Sequence, residues 1–198
     1  MGEDLSIDKR REALGAWVTD HGFGLLDDRD QEAERLPLFV IQATVDRDVH
    51  NVSLGLWEDT EVALFDLRRG REPNRVDSTG ATLAFPYGLP TTLIGHRDVP
   101  EEQMSLSVMP AITEHPLGNA YEVRGRDHGF VEALLVDPLA AWLIAWAESP
   151  PPMSYELSPS WLLGYSGLLE PEDIPELLDG VLGFRDRIPG DVVTRFGR

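Results

Sequence analysis

Residues 49–67 have the sequence VHNVSLGLWEDTEVALFDL, and this stretch decides the fold. Apolar side chains recur at every second position of its first half, at Val52, Leu54 and Leu56. This period of two predicts a strand, and residues 61–67 predict a second strand that returns after a short turn at Glu58-Asp59. The stretch therefore predicts an antiparallel β-hairpin.

Further strands are predicted on both sides of this hairpin, at 38–45, 81–87, 91–96, 105–109, 120–124, 153–157 and 161–165. Helical periodicity predicts an N-terminal helix over Ser6–Val18 and three later helices, which begin after Asp127, after Asp137-Pro138 and near Pro171. Strands first and helices mostly later are typical of an α+β protein. We expect a mainly antiparallel sheet with the N-terminal helix and the C-terminal helices packed on it.

The length of 198 residues fits one globular domain over 1–198. Its β-rich part is expected at about 36–124 and its helix-rich part at about 125–190, because the apolar periodicity changes near Gly125. No internal repeat and no low-complexity segment divides the chain.

The chain is strongly acidic, with 35 Asp and Glu against 17 Lys and Arg and a formal net charge of −18. Such a charge argues against binding nucleic acid or an anionic membrane through bulk electrostatics. The absence of Cys excludes disulfides and thiol nucleophiles, and Lys9, the single lysine, lies outside any phosphate-binding loop.

The first residues, Met-Gly-Glu-Asp-Leu-Ser, lack the basic and apolar regions of a secretory signal. The longest apolar stretch, residues 130–147, is interrupted by Glu132 and by Asp137-Pro138, so it is not expected to span a membrane. We therefore expect a cytoplasmic protein without a membrane segment.

A basic cluster lies in the polar segment 68–80, which is predicted to be a loop, and consists of Arg68, Arg69, Arg71 and Arg75. Guanidinium groups at this spacing can bind a phosphate or an acidic protein partner. The alternative is that they neutralise the protein's own carboxylates.

Trp142 and Trp146 lie one turn apart on one face of a predicted helix. This spacing is typical of core packing. It would also suit an apolar ligand cleft between the sheet and this helix.

Asp66 continues the apolar strand face of Val62 and Leu64, and a buried carboxylate is costly unless it is paired. We expect a structural role for it, with Arg68, Arg124 or a backbone N–H as its partner.

The five histidines show no metal-binding spacing, so no metal and no cofactor is predicted. His115 and His128, each preceded by a carboxylate, are the residues that could converge on a site in the folded chain.

Several short motifs resemble those of a family of uncharacterised proteins common in actinobacteria. They are Asn51-Val52-x-x-Gly55, Val62-x-x-Phe65-Asp66, Tyr121-x-Val123-x-Gly125-x-Asp127, Leu162-Leu163-x-Tyr165 and Ile188-Pro189-x-x-Val192. The resemblance implies one folded domain and brings no activity with it. Some similar proteins carry an N-terminal membrane segment, which we do not expect here.

Three classes of function remain. The first is a non-catalytic protein-interaction, regulatory or accessory domain, whose protein partner and oligomeric state the sequence does not identify. The second is a binder of a small apolar ligand or lipid in the sheet–helix cleft, and the third is an enzyme that uses Asp, Glu and His. The lack of a catalytic motif favours the first class.

Overall fold

Nine strands form one antiparallel sheet in the computed structural model, which describes residues 4–26, 47–69, 75–99, 109–149 and 151–197. The strands are β1 (Gly24–Leu25), β2 (Arg47–Trp57), β3 (Thr60–Arg69), β4 (Val76–Ala84), β5 (Thr92–His96), β6 (Ala111–Ile112), β7 (Tyr121–Gly125), β8 (Ser154–Ser158) and β9 (Trp161–Gly167). Their order across the sheet is β1-β2-β3-β4-β9-β8-β5-β7-β6.

The described helices contribute to one large apolar core on a single face of this sheet. They are α1 (Asp4–Asp20), α2 (His128–Leu134), α3 (Leu139–Trp146), α4 (Ile174–Arg185) and α5 (Gly190–Phe196), with a 3-10 turn at Pro171–Asp173 before α4. We call this side of the sheet the helix face. The opposite side carries a second, smaller core built from strand and loop residues, and we call it the open face because none of the described helices packs on it.

The predicted α+β class, with a mainly antiparallel sheet, an N-terminal helix and C-terminal helices, is confirmed. Asp127 caps α2 as expected, because its carboxylate accepts a hydrogen bond of 2.9 Å from the Phe130 N–H. The helix predicted after Asp137-Pro138 begins at Leu139, with Pro138 as its N-cap residue. The last helix, α5, follows Ile188-Pro189 and was not among the helices predicted from the sequence.

The predicted loop 68–80 is wrong in its extent. Strand β3 continues to Arg69 and β4 begins at Val76. Between them the structure describes Arg75, and residues 70–74 lie outside the described residues. Arg68 and Asp77 are opposite each other in the ladder, and the Arg68 Nε donates to Asp77 Oδ1 at 2.8 Å. A polar pair therefore occupies sheet positions that composition alone assigns to a loop. The strand predicted at 38–45 and most of that at 105–109 lie outside the described residues.

The hairpin of β2 and β3 has the predicted two-residue turn. Trp57 pairs with Thr60, and both Glu58 and Asp59 have positive φ angles, of 46° and 62°. Positive φ at both central residues matches the right-handed twist of the strands that they join.

A β-bulge at Asn51 and Val52 interrupts the ladder of this hairpin. His50 pairs with Asp66 and Ser53 pairs with Leu64, so β2 has one more residue than β3 across this step. Asn51 has a φ of 54°, a left-handed conformation that Asn adopts more readily than most residues. Because side chains alternate between faces, the extra residue decides which face the rest of β2 presents.

Asp66 lies directly across from this bulge and binds three side chains. The Asn51 Nδ2 donates to Asp66 at 2.8 Å, and the Thr79 hydroxyl donates to it at 2.9 Å. Arg10, from α1, reaches both carboxylate oxygens at 3.2 and 3.3 Å. The Thr79 oxygen also accepts the Leu169 N–H at 3.1 Å, so this cluster ties α1, β2, β3, β4 and the chain after β9 together.

The charged partner of Asp66 is Arg10, and neither Arg68 nor Arg124, the side chains expected from the sequence, pairs with it. Arg68 pairs across the ladder with Asp77, and Arg124 contacts Glu122 and the Met109 carbonyl. The sequence analysis missed Arg10 because 56 residues separate it from Asp66. Only the packing of α1 on the helix face brings the two together.

Replacing Asp66 with Asn should lower the free energy of unfolding by about 3 kcal/mol, because it leaves the largely buried Arg10 without its charge partner. The measurement is urea denaturation of the purified protein. Asp77→Asn is the matched control, since Asp77 is more exposed and its loss should cost about 1 kcal/mol or less. Equal losses in the two variants would show that the Asp66 cluster does not hold the fold.

Candidate functional site

The open face is apolar along several neighbouring strands. Its core includes Val52 of β2, Phe65 of β3 and Leu163 of β9, with 2%, 1% and 1% of their surfaces exposed. An antiparallel sheet with one solvated face shows polar residues on that face. Here both faces are apolar, and the described helices cover the other one.

A groove with a volume of about 550 Å³ crosses the open face. We call it the apolar groove. Its lining consists mostly of apolar side chains and comprises Leu26, Val52, Leu54, Gly55, Leu56, Glu61, Val62, Ala63, Thr82, Ala84 and Trp161.

Side-chain size along the ladder explains why the surface is concave there. Leu54 of β2 pairs with Ala63 of β3, which pairs with Thr82 of β4. The small residues of β3 and β4 form the floor, while the leucines of β2 form one wall. Trp161, which pairs with Ala84, forms the other wall. The Thr82 hydroxyl in this floor has a hydrogen-bond partner, because it donates to the Leu162 carbonyl at 2.9 Å.

Exposure rises steadily along the leucine wall of the groove. Val52 is 2% exposed, Leu54 is 44% exposed and Leu56, beside the hairpin turn, is 58% exposed. Exposed leucines in a continuous apolar patch are characteristic of surfaces that bind something. One end of the groove is therefore closed by the core, and the other opens towards solvent near the turn.

The arginines of the predicted basic cluster differ in their surroundings. Arg68 and Arg75 both contact Asp77, at 2.8 and 3.5 Å, so the self-neutralisation alternative describes these two residues. Arg69 is the last residue of β3, and Arg71 lies outside the described residues.

Trp142 and Trp146 pack side by side on α3, with their ring centroids 5.0 Å apart. A Cβ atom added at Gly183 of α4 would lie 2.7 Å from the Trp142 ring, and the Arg187 guanidinium lies 5.0 Å from that ring's centroid. These contacts fill the space between α3 and α4. The apolar groove lies on the other side of the sheet from both tryptophans.

The histidines form no metal site within the described ranges, where no group of three or more His, Asp or Glu side chains could hold a metal ion. His128 is exposed, and His115 is half-buried. Partial burial and the nearby Arg97 lower the pKa of His115, so it stays neutral to lower pH than an ordinary histidine. Burial raises the pKa of both Tyr121 and Tyr155, which are core phenols.

A second, smaller cavity of about 100 Å³ lies on the helix face beside the Asp66 cluster, lined by Arg10, His50, Asn51, Asp66, Leu67, Arg68, Asp77 and Leu168. Both of its carboxylates are already bound to guanidinium groups. We therefore assign it to the structural cluster, and the apolar groove is the candidate functional site.

The wall residues Leu54, Leu56 and Trp161 were not among the site residues predicted from the sequence. A usable signal was present in Val62-Ala63-Leu64-Phe65, where apolar residues fill successive positions without alternation. Such a run predicts a strand that is apolar on both faces. It does not predict which face the helices leave open, because that depends on tertiary packing.

No protein-family model matches this chain, and no curated protein matches it. Among solved structures, its fold is similar to the crystal structure of the mycobacterial trehalose monomycolate transport factor A, TtfA, with a TM-score of 0.66. The match covers 89% of this chain and 92% of that chain, at 17% sequence identity. The two proteins thus share a fold.

No single helix in the described parts of the chain is long and apolar enough to cross a membrane. The pair α2 and α3, bent by 77° at their junction, passes the same test of length and composition when taken together.

Replacing Leu56 with Ser should reduce the fluorescence of the apolar dye ANS bound to the folded protein, because it removes the most exposed part of the groove wall. The free energy of unfolding should change by less than about 0.5 kcal/mol, as for other surface positions. Ile144→Ser is the matched control, since Ile144 is 45% exposed on α3 and lies outside the groove. A dye signal that falls equally in both variants would argue against the groove as the apolar surface.

Proposed function

We propose that this protein is a non-catalytic accessory protein that binds the apolar chain of a lipid-like molecule in the apolar groove. The observation that carries the proposal is the groove itself, with its floor of small residues between a leucine wall and Trp161. Its volume of about 550 Å³ falls within the range of about 300–1,000 Å³ that is typical of small-molecule sites.

The occupant that fits this shape is a single extended alkyl chain. The groove is long and apolar, and it has a buried end at Val52 and an exposed end at Leu56. Each methylene removed from water contributes about 0.8 kcal/mol, so eight of them contribute about 6 kcal/mol before the entropic cost of association. Since 6 kcal/mol alone corresponds to about 40 µM, and association costs part of it, we expect dissociation constants weaker than about 40 µM for short amphiphiles.

The structural neighbour supports a lipid-related role of this kind, since that protein is a trehalose monomycolate transport factor. The ligand class proposed for the present protein is inferred from its own groove. The site proposed here replaces the sheet–helix cleft at Trp142 and Trp146 as the ligand site, because those rings pack against α4.

Further expectations about domain organisation, location and partner belong to the same proposal. The continuous nine-stranded sheet supports a single domain. A cytoplasmic location remains our proposal, as does a protein partner that receives or delivers the ligand. The basic cluster at Arg68, Arg69, Arg71 and Arg75 remains a proposed contact for that partner, although the carboxylate of Asp77 offsets part of the positive charge of Arg68 and Arg75.

Fluorescence quenching by an uncharged single-chain amphiphile that carries bromine next to its head tests the proposal, because bromine quenches a tryptophan that it contacts. Trp161 pairs with Ala84 at the open end of the groove, where the head is expected. Of the five tryptophans, Trp161 lines the groove, whereas Trp17, Trp57, Trp142 and Trp146 pack against the core on the helix face. We expect saturable quenching in the unaltered protein and loss of most of that quenching in Trp161→Phe.

Two controls make this experiment decisive. Leu54→Asp places a charge in the groove and should weaken binding at least tenfold, since burying a carboxylate against an alkyl chain is costly. Ile144→Asp makes the same change at an equally exposed site outside the groove and should leave binding unchanged. Quenching that persists in Trp161→Phe would mean that the chain binds elsewhere, and the proposal would be wrong.

A further inference from the structure

We infer that the molecule bound in the apolar groove has a head that carries no negative charge and donates hydrogen bonds to Glu61. This inference rests on the proposed function and adds the chemical class of the ligand. It follows from the direction in which a chain can enter the groove and from the charges found at the open end.

The ladder register orients the ligand. Leu56 pairs with Glu61 in the row beside the hairpin turn, while Leu54 and Ala63 form the next row towards the core. Exposure falls from 58% at Leu56 to 44% at Leu54 and 2% at Val52. The alkyl chain therefore enters with its tail towards Val52, and its head stays in the outer row beside Glu61.

The charges at this open end are negative. Glu61 is the charged residue of the groove lining, and the adjacent turn adds Glu58 and Asp59. The basic residue described near the turn is Arg185 of α4, which donates to Thr60 at 2.7 Å and to Asp186 at 2.7 Å. Thr60 alternates with Glu61 along β3, so Arg185 lies on the helix face and does not offset the carboxylate of Glu61.

These charges discriminate between heads of different chemistry. A carboxylate or phosphate head would lie beside the Glu61 carboxylate, with Glu58 and Asp59 in the adjacent turn, on a protein with a net charge of −18. A hydroxyl-bearing or ammonium head can donate hydrogen bonds to Glu61 instead. Coulomb repulsion at contact distance corresponds to about five- to tenfold in affinity at a solvated surface.

Three amphiphiles with the same decyl chain test the inference, each used below the concentration at which it forms micelles. Decyl maltoside carries hydroxyls, decylammonium carries a positive charge, and decanoate carries a negative charge. At low ionic strength we expect decanoate to bind about five- to tenfold more weakly than either of the others. The difference should shrink when the ionic strength approaches about 1 M, because salt screens exposed charges.

The variant Glu61→Gln identifies the responsible group. It should bring the affinity for decanoate to within about twofold of that for decyl maltoside, because most of the repulsion is removed. Glu132→Gln is the matched control, since it removes one negative charge from an exposed position on α2 and should leave the difference intact. The ratio of the affinities for decyl maltoside and decylammonium tells whether hydroxyls or a cation are preferred at Glu61.

The outcomes separate this inference from the proposed function. If decanoate binds as tightly as the other two, the inference about the head is wrong while chain binding stands. If none of the three binds, the proposed function fails and the inference fails with it. If Glu61→Gln and Glu132→Gln have equal effects, the discrimination comes from net charge, and the role of Glu61 is refuted.

Discussion

The Asp66 carboxylate is the contact on which the other features depend, because it binds the bulged residue Asn51 and the helix residue Arg10 at once. The bulge adds one residue to β2, and this shifts the alternation of the strand from that point onwards. Without it, Leu54 and Leu56 would face the helices and Ser53 would face the open side. One buried carboxylate thus anchors α1 to the sheet and, through the bulge, assigns two leucines to the groove.

The groove follows from this assignment combined with the packing of the helices. The described helices pack on the helix face. Glycines of the strands permit close contacts there, and the Phe23 ring, for example, lies directly over Gly55. The open face retains apolar strands whose middle positions are small, at Ala63, Thr82 and Ala84. Small residues between larger walls make a concave apolar surface, and its exposed end lies beside carboxylates. Shape and charge together favour a chain-like ligand with a head that is not anionic.

Local sequence patterns predict most of this fold. Alternation of apolar residues predicts the β2–β3 hairpin. The cap at Asp127 predicts α2, and the spacing of apolar residues predicts α4. Contacts between distant residues are not encoded locally, so the pairing of Arg10 with Asp66 was missed. The site was missed for a related reason. In the sequence, the leucines of β2 have the pattern of ordinary core residues. The bulge and the packing of the described helices place them on the open face, whereas the sequence prediction placed the ligand cleft at Trp142 and Trp146.

The most direct test of the account is a crystal structure of the protein with a bound alkyl chain that carries a terminal bromine, located by anomalous scattering. The account predicts a bromine peak at the closed end of the groove, beside Val52 and Ala63, with the head of the chain near Glu61. A bromine peak between α3 and α4, beside Trp142 and Trp146, would contradict it. So would a peak in the groove with the chain reversed, because the head would then lie in the buried row.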